Sequence, residues 1–318
     1  MMKSNKKKLI ILALASIVFV ALYLFWGLNG QNFDYNLSKR IPKVIGIIVA
    51  GGSIAVSSIL FQTITNNRII TPSIIGLDAL YGLVQTIAVF IFGSSSIMMT
   101  NNTLNFLVSG VLMVGFSFVL FNLLFKKGKQ NIMILLLVGT VLGGLFRSMS
   151  TFMQVLIDPN EYEALQSRLF ASFSSINTKI LFMAIVIILI IFAFLYDEIK
   201  KLDVMSLGRD QAINLGIDYD KLTKKILIIV TALVALSTAL VGPITFLGIL
   251  VVNLTYQMFN TFKHSLLLIG SILISIVALV SGQFLVERVF TFNTTIGIII
   301  NFIGGIYFIY LLLKESRV

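Results

Sequence analysis

No cysteine occurs in this chain, which excludes disulfides, thiolate metal ligands and a cysteine nucleophile. Histidine occurs once, as His264, and no His/Asp/Glu cluster has the spacing of a metal site. No G-x-x-x-x-G-K-[ST] stretch is present to cradle the phosphates of a nucleotide. Charge is scarce as well. Of 318 residues, 12% are Asp, Glu, Lys or Arg, against about 25% in a soluble domain. So small a polar complement cannot cover the surface of a water-soluble fold. These shortages also leave a membrane-embedded enzyme without a legible catalytic set.

What the chain has instead is apolar length: 58% of residues are hydrophobic and the mean hydropathy is +1.00. A helix needs about 20 mainly apolar residues to cross a bilayer. Cut at Gly, Pro and charge clusters, the apolar runs predict spans at about 9–28, 42–64, 74–93, 104–125, 131–156, 179–196, 224–241, 244–261, 265–286 and 296–313. Lipid offers the backbone no hydrogen-bond partners, and continuous runs of this length favour helices over a closed barrel. The expected fold is therefore all-α, a polytopic transmembrane helical bundle of about ten spans forming a single domain over 1–318. Near Pro243 one long run divides, with room for two short or broken helices. The start, MMKSNKKK followed by an apolar run from Leu9 to Phe25, has the look of a signal peptide. The run is long and no small-x-small cleavage site follows it, so it reads as an uncleaved first span.

A net charge of +11 could suggest nucleic acid, but the charges sit in short clusters between apolar runs. That is how topology is set in a membrane. With both termini in the cytoplasm, the inside loops hold the first lysines, Arg68, Lys126, Lys127, Lys129, the basic residues from Lys200 to Lys225, Lys263, Lys314 and Arg317. These are 17 of 24 basic residues. Lys39, Arg40, Lys43, Arg168, Lys179 and Arg288 fall outside, and Arg147 lies about midway along an otherwise apolar span, where a charge faces a cavity or a partner. Two stretches look soluble: Asp197–Lys221, assigned to the cytoplasm, and Asp158–Ser175, assigned outside. In the first, Ala212, Leu215 and Ile217 offer a small apolar face, Gly216 can break a helix and Asp218 can cap the next. Small residues at 51–58 and Gly139, Gly143 and Gly144 allow close helix packing in lipid.

From Arg40 the chain reads RIPKVIGIIVAGGSIAVSSILFQTITNNRIITPSIIGLDALYG. This resembles the opening of the FecCD family, the permeases of iron-siderophore, haem and cobalamin ABC importers. Arg40, Pro42, Gly51, Gln62, Asn67, Pro72 and Gly76 stand at matching places; Lys43 replaces a second arginine, and Arg68 stands where that family has proline. SLGRDQAINLGIDYDKL from Ser206 and ALVGPITFLGILVVNLTYQMF from Ala239 are similar to two further family motifs. In the second of these, Val252, Asn253 and Tyr256 replace the family's Pro-His and Arg. GIIINFIGGIYFIYLLLK is similar to the closing span, so the resemblance runs from about residue 40 to the end.

The resemblance implies a type II ABC importer permease fold and a transport subunit rather than an enzyme. It implies two permeases, identical or paralogous, around a central pathway, with an ABC ATPase and a substrate-binding lipoprotein as further partners. No cofactor is expected on this chain; ATP is used by the ATPase. The loop at about 197–222 would be the coupling element, through Leu207, Gly208, Ala212, Leu215, Gly216 and Ile217. Arg40, Lys43 and Arg288 would dock the binding protein. Arg147, Leu169, Ala171, Ser172 and Asn253 would belong to the pathway and its gate. The departure around Asn253, together with Arg147, favours an anionic ferric siderophore, moved across the cytoplasmic membrane of a bacterium. Haem or cobalamin is the alternative within the family. Outside it stands an ion-coupled secondary transporter, for which Asp78 is the one plausible embedded carboxylate.

Overall fold

Side-chain caps, prolines and glycines divide the apolar runs into helices. In the computed structural model, which describes residues 2–29, 33–124, 132–174 and 176–315, these are α1 (Met2–Phe25), α2 (Phe33–Thr65), a 3-10 turn (Pro72–Ile75), α3 (Leu77–Phe92), α4 (Ile97–Thr100), α5 (Asn102–Leu124) and α6 (Ile132–Leu156). There follow α7 (Pro159–Leu169), α8 (Thr178–Tyr196), α9 (Ile199–Met205), α10 (Arg209–Asn214), α11 (Tyr219–Val241), α12 (Leu247–Met258), α13 (His264–Arg288) and α14 (Ile296–Glu315). No strand occurs among the described residues. The Asp158, Asn177 and Asp218 side chains accept from backbone N–H groups of the first turns of α7, α8 and α11, satisfying donors that have no intrahelical partner. The cap foreseen at Asp218 is thus in place. Lys126, Lys127, Lys129 and Arg317, assigned to inside loops, lie outside the described residues.

Among the described residues, eight helices are long and apolar enough to cross a membrane: α1, α2, α5, α6, α8, α11, α13 and α14. The spans expected at 74–93 and 244–261 are instead short helices of 16 and 12 residues, α3 and α12. Twelve residues rise about 18 Å, well short of the roughly 30 Å hydrocarbon core. The cause is local. Each short helix follows an irregular stretch, 66–76 or 242–246, that contains a proline, which has no N–H to donate, and a glycine of positive φ, 86° at Gly76 and 94° at Gly242.

α2 is the axis of the molecule. Its apolar window is 89% buried, against 17% for α1 and for α6, and it packs mainly on α11 and α13. Small residues make the approach possible: a Cβ added to Gly51 would stand 2.5 Å from Ser275 Oγ. α6 meets the 3-10 turn at backbone distance, since a Cβ on Gly139 would stand 2.8 Å from Ile75 Cα. The small-residue stripes are therefore packing surfaces. At one end of the bundle lie the start of α1, the end of α2, α9 and the junction of α12 with α13, joined by Lys8 Nζ donating to Met258 O at 2.7 Å. This is the lysine-rich end. α7 and the start of α14 sit at the opposite end, where Ser172 N donates to Val241 O.

Candidate functional site

The two irregular stretches meet around one carboxylate. Asp78, in the first turn of α3, accepts from Thr245 Oγ1 at 3.1 Å; Ser73 and Thr238 line a small cavity with it, and Arg147 acts on the carboxylate by charge. Non-helical backbone at membrane depth is tolerated where it is buried in protein or lines a cavity, and Asp78 ties these stretches together. Arg147 projects from α6 and is exposed on the single chain. It forms no ion pair among the described residues. Leu145, Met149 and Phe152 around it are exposed too.

The residues expected at the gate separate into two places. Leu169 closes α7 and packs beside Gly82. Ala171 is fully buried, wedged between the end of α11 and the start of α14: Ser172 N donates to Val241 O at 2.9 Å, and Gly297 N to Ala171 O at 3.1 Å. A Cβ on either Gly242 or Gly297 would come within 3.0 Å of Ala171. Asn253 is not part of this group. It lies at the lysine-rich end, where its Nδ2 donates to Arg68 O at 3.2 Å and to Ile249 O at 2.9 Å.

The three basic residues assigned to docking do come together, around a groove of about 300 Å³ that also includes Lys39. Their environments differ. Arg40 is only 7% exposed, and its Nη1 donates to the carbonyls of Tyr23, Leu24 and Trp26. It closes the C-terminus of α1, where carbonyls lack intrahelical donors. Lys43 Nζ is paired with Glu287 Oε1 at 2.7 Å, and Tyr23 and Gln283 donate to the same oxygen. Lys39 and Arg288 are the exposed charges of the set.

The 197–222 stretch is a compact helical hairpin. Glu198 anchors it, accepting from Lys201 and Lys225. Burial opposes ionisation of that carboxyl, but the two ammonium groups prevail and hold it below its ordinary range. Gly208 (φ 99°) turns α9 into α10, and Gly216 (φ 84°) ends α10. Ala212, Leu215 and Ile217 do not form one outward face. Ala212 is fully buried and Ile217 half-buried, whereas Leu207, Ile213 and Leu215 stand exposed. The outward apolar surface is thus Leu207–Ile213–Leu215.

Residues 8–314 match the model of the FecCD transport family. The chain belongs to the FecCD family. It is 55% identical to the petrobactin import system permease protein YclO of Bacillus subtilis, over 98% of this chain and 99% of that one. With the petrobactin import system permease protein FatC of Bacillus anthracis it shares 36% identity, over 91% of this chain and 81% of the relative. Its fold matches a solved structure described as an inward-facing conformation of a metal-chelate type ABC transporter, with a TM-score of 0.84 at 23% identity, covering 98% and 100% of the two chains. The family match takes in most of α1, beyond the start of the sequence resemblance at about residue 40.

In this FecCD permease two departures from the family pattern turn out to be neighbours. Arg68, where the family has proline, lays its guanidinium 4.7 Å from the ring centre of Tyr256, where the family has arginine. The guanidinium lies over the face of the aromatic ring, a favourable cation–π arrangement. Both departures are visible in the sequence; their contact is not, because 188 residues separate them.

Proposed function

We propose that the chain is the permease subunit of an ABC importer that carries a ferric siderophore of the petrobactin kind inward across the cytoplasmic membrane. The observation that carries this reading is the hairpin of α9 and α10. It holds Leu207, Ile213 and Leu215 outward from a polar segment, in a chain with no nucleotide-binding loop. Apolar side chains displayed in this way fit a groove on a partner, and an ATPase subunit is the partner that would supply the missing hydrolysis. The relatives named for petrobactin import support the substrate class. The concentration of lysine at the hairpin end supports a cytoplasmic placement of that end and of both termini.

Arg147 supports a second permease. An arginine facing lipid at mid-helix costs at least about 2.5–3.5 kcal/mol, so the exposed face of α6 needs a partner copy and a hydrated path rather than acyl chains. On this reading Arg147 attracts the anionic chelate, and the segment around Ala171 closes the outer end. Lys39 and Arg288 present the positive charge that a binding lipoprotein's acidic residues meet. Arg40 and Lys43 hold that platform together. Asn253 acts at the inner end through Arg68.

The test is reconstitution of the permease with its ATPase and binding protein in proteoliposomes, with petrobactin loaded with radioactive iron. Uptake should require ATP and vanish with a hydrolysis-dead ATPase. Uptake driven by an ion gradient alone would falsify the importer reading. ATP-dependent uptake of labelled haem or cobalamin with none of iron-petrobactin would move the substrate within the family.

A further inference from the structure

The lone histidine sits where three elements converge. His264 opens α13 and is 2% exposed. Asp203 of α9 accepts twice through one oxygen, from His264 N at 2.7 Å and from its Nδ1 at 2.8 Å. The carboxylate of the hairpin thus caps a transmembrane helix from outside that helix. On the other side of the ring, Nε2 lies 2.8 Å from Thr63 Oγ1 of α2. Tyr256 of α12 lines one cavity with Thr63 and His264. A hydrogen-bonded chain therefore runs from α9 through α13 to α2 and borders α12 across that cavity; α12 begins beside Thr245 and Asp78.

The chain has alternative arrangements. In the neutral ring, with Nδ1–H given to Asp203, Nε2 accepts the Thr63 proton. A hydroxyl has one proton to give, and Ile59 O also stands 2.8 Å away. Thr63 must choose between its own helix and the histidine. Beside it is a cavity of about 460 Å³ lined by Gln62, Arg68, Ser206 and Tyr256 among others. The Gln62 Oε1 atom is buried there without a partner among the described residues. Room and spare acceptors let the partners exchange without repacking the apolar core.

We propose that Asp203, His264, Thr63 and Tyr256 are positioning residues that carry displacement of the hairpin to α12 and so to the pathway. The inference rests on the importer reading above and adds the route by which hydrolysis is felt at the pathway. The experiment uses the full importer in proteoliposomes, measuring iron-petrobactin transported per ATP hydrolysed, with thermal stability measured alongside. Thr63→Val keeps the shape and removes the hydroxyl; Thr63→Ser returns it. Thr63→Val should retain ATPase assembly and hydrolysis yet transport at least about five-fold less per ATP, with Thr63→Ser restoring the ratio. An unchanged ratio in Thr63→Val overturns the inference and leaves the importer reading standing. ATP-independent uptake by the unaltered protein overturns both. If Thr63→Val does not accumulate, Tyr256→Phe, which keeps the ring under Arg68, is read by the same ratio and decides.

Discussion

Arginines that look alike in sequence have different work here. Arg40 closes the end of α1 through three carbonyls, whereas Arg288 makes one long contact, 3.3 Å to Trp26 O, and remains exposed. Replacing Lys39 and Arg288 by glutamate should slow association with the binding protein by about ten-fold at low salt, the defect shrinking as salt screens the charges. Arg40→Met should instead cost stability, about 1–3 kcal/mol for buried carbonyls left unpaired, and leave the salt dependence of docking unchanged. Association rates at two ionic strengths, with melting curves, check both outcomes. Glu198 gives a pH signature. Its pKa is depressed from 4.5 by Lys201 and Lys225, against burial, so its contribution is present at neutral pH and lost as pH falls through the depressed value. Glu198→Gln should lower the melting temperature at pH 7, and the gap from the unaltered protein should close only below pH 4.5.

At the scale of elements, the hairpin and the segment around Ala171 depend on glycine for separate reasons. A Cβ on Gly216 would meet nothing within 4 Å, so the requirement is its φ of 84°. Gly216→Val should strain the turn by about 1–3 kcal/mol and abolish ATPase co-purification. Gly216→Asn, which tolerates this backbone region, should keep it. Normal assembly and transport in the valine variant would remove the hairpin from the interface. Gly297 is a case of space. Its φ is ordinary, but a side chain would press on Ala171 from 3.0 Å, so Gly297→Val should part the Ala171 segment from α14. The expected readout is proteoliposomes that leak the chelate outward without ATP.

For the whole molecule, the uneven burial of the spans is the informative fact. α2 is enclosed by its own chain, while α6 leaves most of its surface uncovered, Arg147 included. If a second permease covers that face, a single cysteine placed at Leu145 or Phe152 should cross-link to the partner's equivalent helix, whereas one at Ile17, exposed on α1, should not. The absence of native cysteine makes the experiment clean. Arg147→Met keeps bulk and removes charge; membrane insertion should be normal and uptake of anionic chelates reduced more than that of neutral ones. Equal uptake of both would return Arg147 to a packing role with Asp78.

Composition and periodicity alone determined that this is a helical membrane protein, because apolar runs of this length admit few other structures. They also placed the hairpin, its Asp218 cap and the lysine-rich side, since caps and charge bias are local signals. The resemblance of short motifs placed the chain in its family. Tertiary structure alone decided that two expected spans are short helices, that Ala212 points inward, that Arg40 and Lys43 are committed within the chain, and that Asn253 lies at the lysine-rich end beside Arg68. Each of these depends on which backbone carbonyl, carboxylate or side chain from a distant segment arrives beside the residue. Arg68 and Tyr256, or Asp203 and His264, become partners only when the spans between them pack. Side-chain periodicity says which face of a helix is apolar, but not which other helix will cover it.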